Sequence, residues 1–357
     1  MMTKTTRRWV AVLACGALAM AACGGDDTSS EDPTSDSSGS GDAGGAEVEL
    51  QKASLRLDWT YGTFHAPFLY AKEHGYYEEE GIDLDIREGQ GSAQTMTLVG
   101  GGDDTFGWGD SGTAALQISL GVPLKVVAVV QRQTPFGVAC FDDVGYTEPA
   151  DLVGHSVVLV PQESTAQLWP AFLEANGIAA DDVRVVNADF SNKVTLFAEH
   201  RADCMAGYPS VDILQAQQLN DEIGEAVSWD DNGVHVLSQG LVTTTGTIED
   251  DPELVAGFVR ASLRAWKEIC ADPDLGSSFF IEQFPELHKT DDQIAYSEES
   301  MVRECAITEA RAGTGATTFG PSTDDEWQPM LDLLHKFGTL ENLEEPSTYY
   351  TNDFIEG

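Results

Sequence analysis

The chain has 357 residues, with 19 Lys and Arg against 60 Asp and Glu and a formal charge of −41. So negative a field excludes nucleic acid as a partner and disfavours anionic solutes at long range; a solvated surface adapted to salt or solubility accounts for such acidity. The length is enough for two lobes.

Residues 1–22 place Lys4, Arg7 and Arg8 before an apolar run from Trp9 to Ala22 that is short for a bilayer span, the pattern of an export signal. Arg7-Arg8 leaves twin-arginine export open beside the general route. Met20-Ala21-Ala22-Cys23 resembles a lipobox, in which the Cys thiol receives a diacylglycerol before cleavage. Cys23 is therefore the expected lipidation site, and the mature chain is expected on the outer face of the cell membrane. Each buried acyl methylene contributes roughly 0.8 kcal/mol. Loss of residues 1–22 removes three cations and no acid, leaving 16 positive and 60 acidic residues and a formal charge of −44. Residues 23–52 are mostly Ser, Gly, Asp and Pro up to Glu49 and bury too little to offset the entropy of ordering, so a flexible tether is expected.

In Leu55–Ile86, Leu55 to Trp59 alternates like a strand, His65 to His74 is helix-forming and closed by Gly75, and Ile82 to Ile86 alternates again. The loop Trp59 to Pro67 between first strand and helix is unusually aromatic, at the position where open α/β sheets bind ligands. A second helix opens at Ser92, Thr105 to Trp108 reads as a strand ending in Gly109-Asp110-Ser111, and Leu124 to Gln131 is an almost continuous apolar strand. The pattern then restarts. Strands are predicted over 156–160, 183–187 and 203–207, with helices over 164–176 and 191–200, and 240–245 reads as a strand returning to the first lobe. The expected division is 53–137 plus 239–357 for lobe one and 138–238 for lobe two, joined by two crossings that form a hinge. Asp251-Pro252 starts a helix with the apolar stripe Leu254, Val255, Phe258, Val259, Leu263, Trp266 and Ile269. Asp324 to Phe337 repeats the logic, with Gly338 as the stop. Both helices are expected to pack on lobe one.

Of the six cysteines, Cys15 leaves with the signal and Cys23 is acylated, so Cys140, Cys204, Cys270 and Cys305 remain in an oxidising compartment. No spacing suggests a metal site. Cys270 with Cys305 is the preferred disulfide, which leaves Cys140 and Cys204 able to pair; four reduced thiols are the alternative.

Leu57-Asp58-Trp59, His65-Ala66-Pro67, Gly75-Tyr76-Tyr77 and Glu80-Gly81-Ile82-Asp83 together resemble the solute-binding proteins of ABC importers, in the branch of thiamine-pyrimidine-precursor binders and related pyrimidine synthases. The layout is similar from about Ala53 to the C-terminus. It departs where Tyr61-Gly62 and Phe64 stand in place of asparagine-containing positions. The resemblance implies a two-lobed periplasmic-binding-protein fold of class α/β, each lobe a mostly parallel sheet flanked by helices, with an ABC permease as partner, no cofactor, no metal and a monomeric state. Gly207-Tyr208 running into Asp212 is similar to the stretch whose acid pairs with the aminopyrimidine in that branch, although a helix-start carboxylate explains Asp212 equally well.

By position, lobe one offers the cleft Asp58, Trp59, Tyr61, His65, Ser92, Trp108, Asp110 and Ser111. Lobe two offers Gln162, Glu163, Ser164, Tyr208 and Asp212, and Phe136 lies beside the hinge. Trp59 and Trp108 are flanked by small or polar residues, which places both indoles at the mouth, where a flat ligand could stack. His65 at a helix N-terminus suits a neutral hydrogen-bonding role. Ser164 and Gln167 fit a capping box. No cluster of Arg and Lys suited to nitrate or sulfonate is found near the cleft, Arg132 excepted. The leading function is therefore capture of a small aromatic nutrient, a thiamine pyrimidine precursor first, with riboflavin, then sulfonate or nitrate, as alternatives. A pyrimidine-synthase-like enzyme is the remote alternative, since those synthases work inside cells with a lysine-held pyridoxal phosphate and this chain is exported and poor in lysine.

Overall fold

The computed structural model describes residues 50–309, 319–337 and 339–355. The expected signal, Cys23, most of the tether and Gly338 lie outside the described residues. The chain runs β1 (Gln51–Arg56), α1 (Ala66–Glu73), α2 (Tyr76–Glu79), β2 (Ile82–Arg87), α3 (Ser92–Gly101), β3 (Phe106–Asp110), α4 (Ser111–Ser119) and β4 (Leu124–Val129) before the first crossing. After it come β5 (Gly137–Cys140), β6 (Ser156–Leu159), α5 (Ser164–Ala175), β7 (Arg184–Asn187), α6 (Lys193–Ala198), β8 (Cys204–Gly207), α7 (Asp212–Leu219) and β9 (Val227–Ser228). The chain returns as β10 (Gln239–Thr244) and ends with α8 (Thr245–Asp250), α9 (Pro252–Ala271), α10 (Pro273–Gln283), α11 (Asp291–Glu309) and α12 (Asp324–Lys336).

The strands form two sheets, β2-β1-β3-β10-β4 and β7-β6-β8-β5-β9. In the first, β1 is parallel to β2 and β3, and only β10 runs against the rest; in the second only β5 does. The two reversed strands are those the chain enters immediately after each crossing. One sheet thereby hands the chain to the other and receives it back beside its own central strand. β1 begins at Gln51, inside the expected tether, and ends at Arg56 instead of Trp59, because its ladder with β2 stops at Arg56 opposite Arg87 and Asp58 turns its carbonyl to the Gly91 amide at 2.7 Å.

The crossings run side by side. Val130 and Gln131 amides both donate to the Gln239 carbonyl at 2.9 and 3.0 Å, and the Ser238 amide donates to the Gln131 carbonyl at 3.0 Å. The strands β3, β10 and β4 of the first sheet are buried on both faces, as a nearly all-apolar strand such as β4 requires, while the edge strand β2 alternates buried and exposed residues. α9, with its stripe of Leu254, Val255, Phe258, Val259 and Trp266, packs on one face beside α1, as expected. α12 differs from expectation. Its Trp327, Met330, Leu331 and Leu334 join a core shared with α4 of the first lobe and α5 of the second, so it bridges the lobes instead of closing one. A capping box between Thr323 and Glu326 fixes its start.

Both disulfides are formed: Cys140–Cys204 joins directly paired residues of β5 and β8, and Cys270–Cys305 ties α9 to α11.

Candidate functional site

The carboxyl ends of β1, β4 and β8 and the start of β10 converge on a narrow cavity between the lobes. Its wall is made by Asp58, Trp59, Phe64, Trp108, Gln131, Glu163, Tyr208, Val211, Asp212, Gln239 and Glu304. An apolar, aromatic wall with a few convergent polar groups is what small-molecule sites look like.

Of the residues expected from sequence, Asp58, Trp59, Trp108, Glu163, Tyr208 and Asp212 reach this wall together. Trp108, expected at the mouth, is instead core. It is 1% exposed, stacks on Trp266 with centroids 5.2 Å apart and meets the Phe68 ring edge-on, so only part of its indole faces the cavity. Trp59 is half-buried and sits on Phe190 of the opposite lobe at 3.9 Å between centroids, closing the mouth.

The other expected residues lie outside the wall. The Tyr61 hydroxyl donates to the Ile86 carbonyl at 2.7 Å, and its ring lines a neighbouring groove. His65 is buried behind Asp58, with Nε2 2.9 Å from Oδ1. Asp110 caps α4, accepting from the Thr113 amide at 2.7 Å, and burial pushes its carboxyl up to about 7. The Ser111 hydroxyl donates to the Ser238 carbonyl at 2.6 Å, securing the second crossing. Phe136 packs edge-on against Tyr208 and Trp229 in the core. Ser164 is not the cap of α5: Glu163 holds that position, and the Ser164 hydroxyl crosses the cleft to Ser92 Oγ at 3.1 Å. The Gln162 carbonyl accepts from the Ala93 amide at 3.1 Å in the same seam. A Cβ on Gly91 would fall 2.3 Å from the Gln162 carbonyl oxygen, and its φ of +108° also suits glycine, so this residue lets the lobes touch. Arg132 pairs with Glu326 and is no part of the wall.

Asp212 opens α7 with its carboxylate already engaged. Oδ1 accepts from the Tyr208 amide at 2.5 Å and the Ile213 amide at 3.1 Å, and Oδ2 accepts from Lys193 Nζ. The close approach depends on Gly207, where a Cβ would lie 2.4 Å from Asp212 Oδ2. Lys193 also donates to Glu163 Oε2 at 2.6 Å. Burial alone would lower the lysine pKa, but Asp212 and Glu163 outweigh it and hold the ammonium above its ordinary value. Burial likewise pushes Glu163 up to about 7, against the pull of Lys193. The Tyr208 phenol is held well above its ordinary value by burial and by the Asp110 and Asp58 carboxyls.

Sequence reasoning missed Gln131, Gln239, Glu304 and Lys193. Glu304 comes from α11, where Ser297, Ser300, Met301, Glu304 and Cys305 form one buried stripe. That three-and-four spacing is readable in the sequence and places a glutamate on an inward face. Glu304 accepts from Gln131 Nε2 and from the Ser210 hydroxyl at 2.5 Å, and burial pushes it up to about 7 despite both bonds. Gln131 and Gln239 stand where an apolar strand gives way to a crossing. Lys193 had no local signal.

Among the described residues, no group of His, Cys, Asp and Glu could hold a metal ion, and no helix is long and apolar enough to cross a membrane.

Residues 62–275 match the family model described as NMT1/THI5 like. The chain is 23% identical over 316 residues to the riboflavin-binding protein RibY of Chloroflexus aurantiacus, spanning 87% of this chain and 88% of that one. It is 25% identical over 301 residues to a formylaminopyrimidine-binding protein of Halalkalibacterium halodurans, spanning 82% and 87%. Its fold is similar to that of the alkanesulfonate-binding protein SsuA from Xanthomonas axonopodis pv. citri, with a TM-score of 0.67 at 12% identity over 85% of this chain and 99% of that one.

Proposed function

Because the chain belongs to the NMT1/THI5-like family, we propose that it is the extracytoplasmic solute-binding component of an ABC importer. Its solute is a small planar heterocycle rich in N–H donors, a thiamine pyrimidine precursor first. One observation carries this reading: the cavity wall is aromatic and its polar groups are carboxyls and carboxamides, with no arginine or lysine among the lining residues. The cation just behind it, Lys193, is bound by two carboxylates. A sulfonate or nitrate would meet uncompensated acceptors there, whereas an amino-heterocycle supplies the donors they lack. The formylaminopyrimidine-binding relative agrees with that chemistry.

Riboflavin is the second reading, favoured by the RibY relative and by a groove of about 350 Å³ that shares Trp59, Phe64 and Val211 with the cavity and has room for a substituent. An enzyme of the synthase type is not supported by the residues. A pyridoxal phosphate would need an uncharged lysine amine and cations for its phosphate, and Lys193 is a doubly paired ammonium behind the acids of the wall.

Calorimetry and thermal shift on the purified chain with 4-amino-5-hydroxymethyl-2-methylpyrimidine, riboflavin and ethanesulfonate test the assignment. The pyrimidine should bind tightest, adding about 2.7 kcal/mol of stability at 100 times its Kd. Preference for the sulfonate, or no response to any heterocycle, sinks it. The lipid anchor belongs to the same proposal: Cys23→Ala should leave a protein that is uncleaved by the lipoprotein peptidase or shed into the medium, and a variant processed and membrane-retained as the parent is would refute anchoring by Cys23.

A further inference from the structure

The two crossings that join the lobes carry one glutamine each, and the two side chains are arranged alike. Gln131 is 1% exposed and directs its amide nitrogen to Glu304 Oε2. Gln239 is 4% exposed and directs its amide nitrogen to Asp58 Oδ2 at 2.7 Å and to the Tyr208 hydroxyl at 3.3 Å. An ionised carboxylate can only accept, so each partner fixes which end of the amide faces it. The other end is then a carbonyl oxygen. Both carbonyl oxygens, Gln131 Oε1 and Gln239 Oε1, are buried and find no hydrogen-bond partner among the described residues. Both residues line the cavity, and their backbones are paired, the Gln131 amide donating to the Gln239 carbonyl at 3.0 Å.

A buried acceptor without a donor is unfavourable, and two of them on residues of one cavity wall are not explained by packing. The carboxylate behind each amide also polarises it, so that donating N–H bonds to Asp58 or Glu304 makes the opposite oxygen a stronger acceptor. We propose that Gln131 and Gln239 are the specificity-determining residues of the cavity, a fixed pair of carbonyl oxygens that holds paired N–H donors such as the primary amino group of a planar heterocycle. This rests on the solute-binding reading above and adds to it the atoms that select the solute. Asp58 and Glu304 act through the glutamines as positioning residues. A solute bearing only acceptors at that edge leaves both oxygens unsatisfied and faces two carboxyls behind them.

The test is calorimetry at pH 8, where Glu304 is ionised, with 4-amino-5-hydroxymethyl-2-methylpyrimidine and its analogue lacking the 4-amino group. The parent should prefer the amino compound. Gln131→Met and Gln239→Met should each weaken the amino compound by about tenfold or more while changing the analogue far less, so that the preference collapses. Equal loss for both compounds, or variants that discriminate as the parent does, overturns the inference and leaves the solute-binding reading standing. A parent that binds no amino-heterocycle overturns both. Gln131→Met removes one of the two donors to buried Glu304 and leaves the Ser210 hydroxyl, so Gln131→Met with Glu304→Met serves as the companion variant, and melting temperatures identify any that fail to fold.

Discussion

Asp110 shows how a carboxyl can matter to this protein without touching the cavity. It caps α4 through the Thr113 amide, and burial raises it to about 7, with the nearby Asp58 charge adding a smaller push. The folded chain therefore holds a proton that the unfolded chain releases near pH 4. Its contribution to stability is fully present below that pH and is lost as pH rises through about 7. Asparagine caps a helix about as well as aspartate and does not titrate. Asp110→Asn should accordingly flatten the fall in stability between pH 5 and pH 8 by on the order of 2 kcal/mol, read from urea midpoints at the two pH values. A variant that loses as much stability over that interval as the parent would assign the pH dependence to Glu163 and Glu304 instead.

At the scale of elements, α11 does more than its weakly amphipathic sequence suggests. It brings Glu304 to the cavity, and the next residue, Cys305, is bonded to Cys270 of α9. The disulfide closes 35 residues, worth roughly 3 to 4 kcal/mol by chain entropy. Replacing both cysteines by serine should lower the unfolding free energy by about that amount and also weaken binding of the aminopyrimidine, because Glu304 loses its fixed seat. The Cys140–Cys204 disulfide closes a longer loop of 64 residues in the second sheet, and the Cys140→Ser/Cys204→Ser pair should reduce stability with little effect on affinity. Equal affinity in both double variants would separate α11 from recognition. The sequence makes β4 and the α9 stripe legible, β4 as a nearly unbroken apolar run and α9 by helical spacing behind an Asp-Pro start, whereas β1 is legible as a strand but not in its bounds. The bridging position of α12 is not legible, since an apolar stripe states that a face is buried and not which lobe buries it. Asp58, Glu163 and Asp212 could be placed at strand ends and helix starts, but that Asp212 would be taken up by Lys193 depends on two segments 19 residues apart meeting in space. The hinge glutamines escape notice for a related reason: a strand-end residue reads as a boundary until the second crossing is laid against it.

For the molecule as a whole, the seam at Gly91, Ser92 and Ala93 against Gln162 and Ser164 is the contact that any opening must break. Gly91→Ala puts a methyl group against the Gln162 carbonyl oxygen. Solution scattering should then show that the parent contracts with aminopyrimidine and the variant does not, with affinity reduced about tenfold, or ~1.4 kcal/mol. Equal contraction would mean that the seam yields without cost. Hinge motion also has a lever arm. Gln131 and Gln239 sit on the crossings, where a rotation of the lobes would displace atoms least, and Gln239 belongs to the first sheet; Trp59 and Phe190 meet from opposite lobes. On the proposed function, such a rotation would part the Trp59–Phe190 contact, and a solute held by Gln239 would stay with the first lobe while Tyr208 and Glu163 withdraw. Delivery would then be one-sided: whatever receives the solute would take it from an uncovered first lobe, after the second has moved away like a lid from a dish.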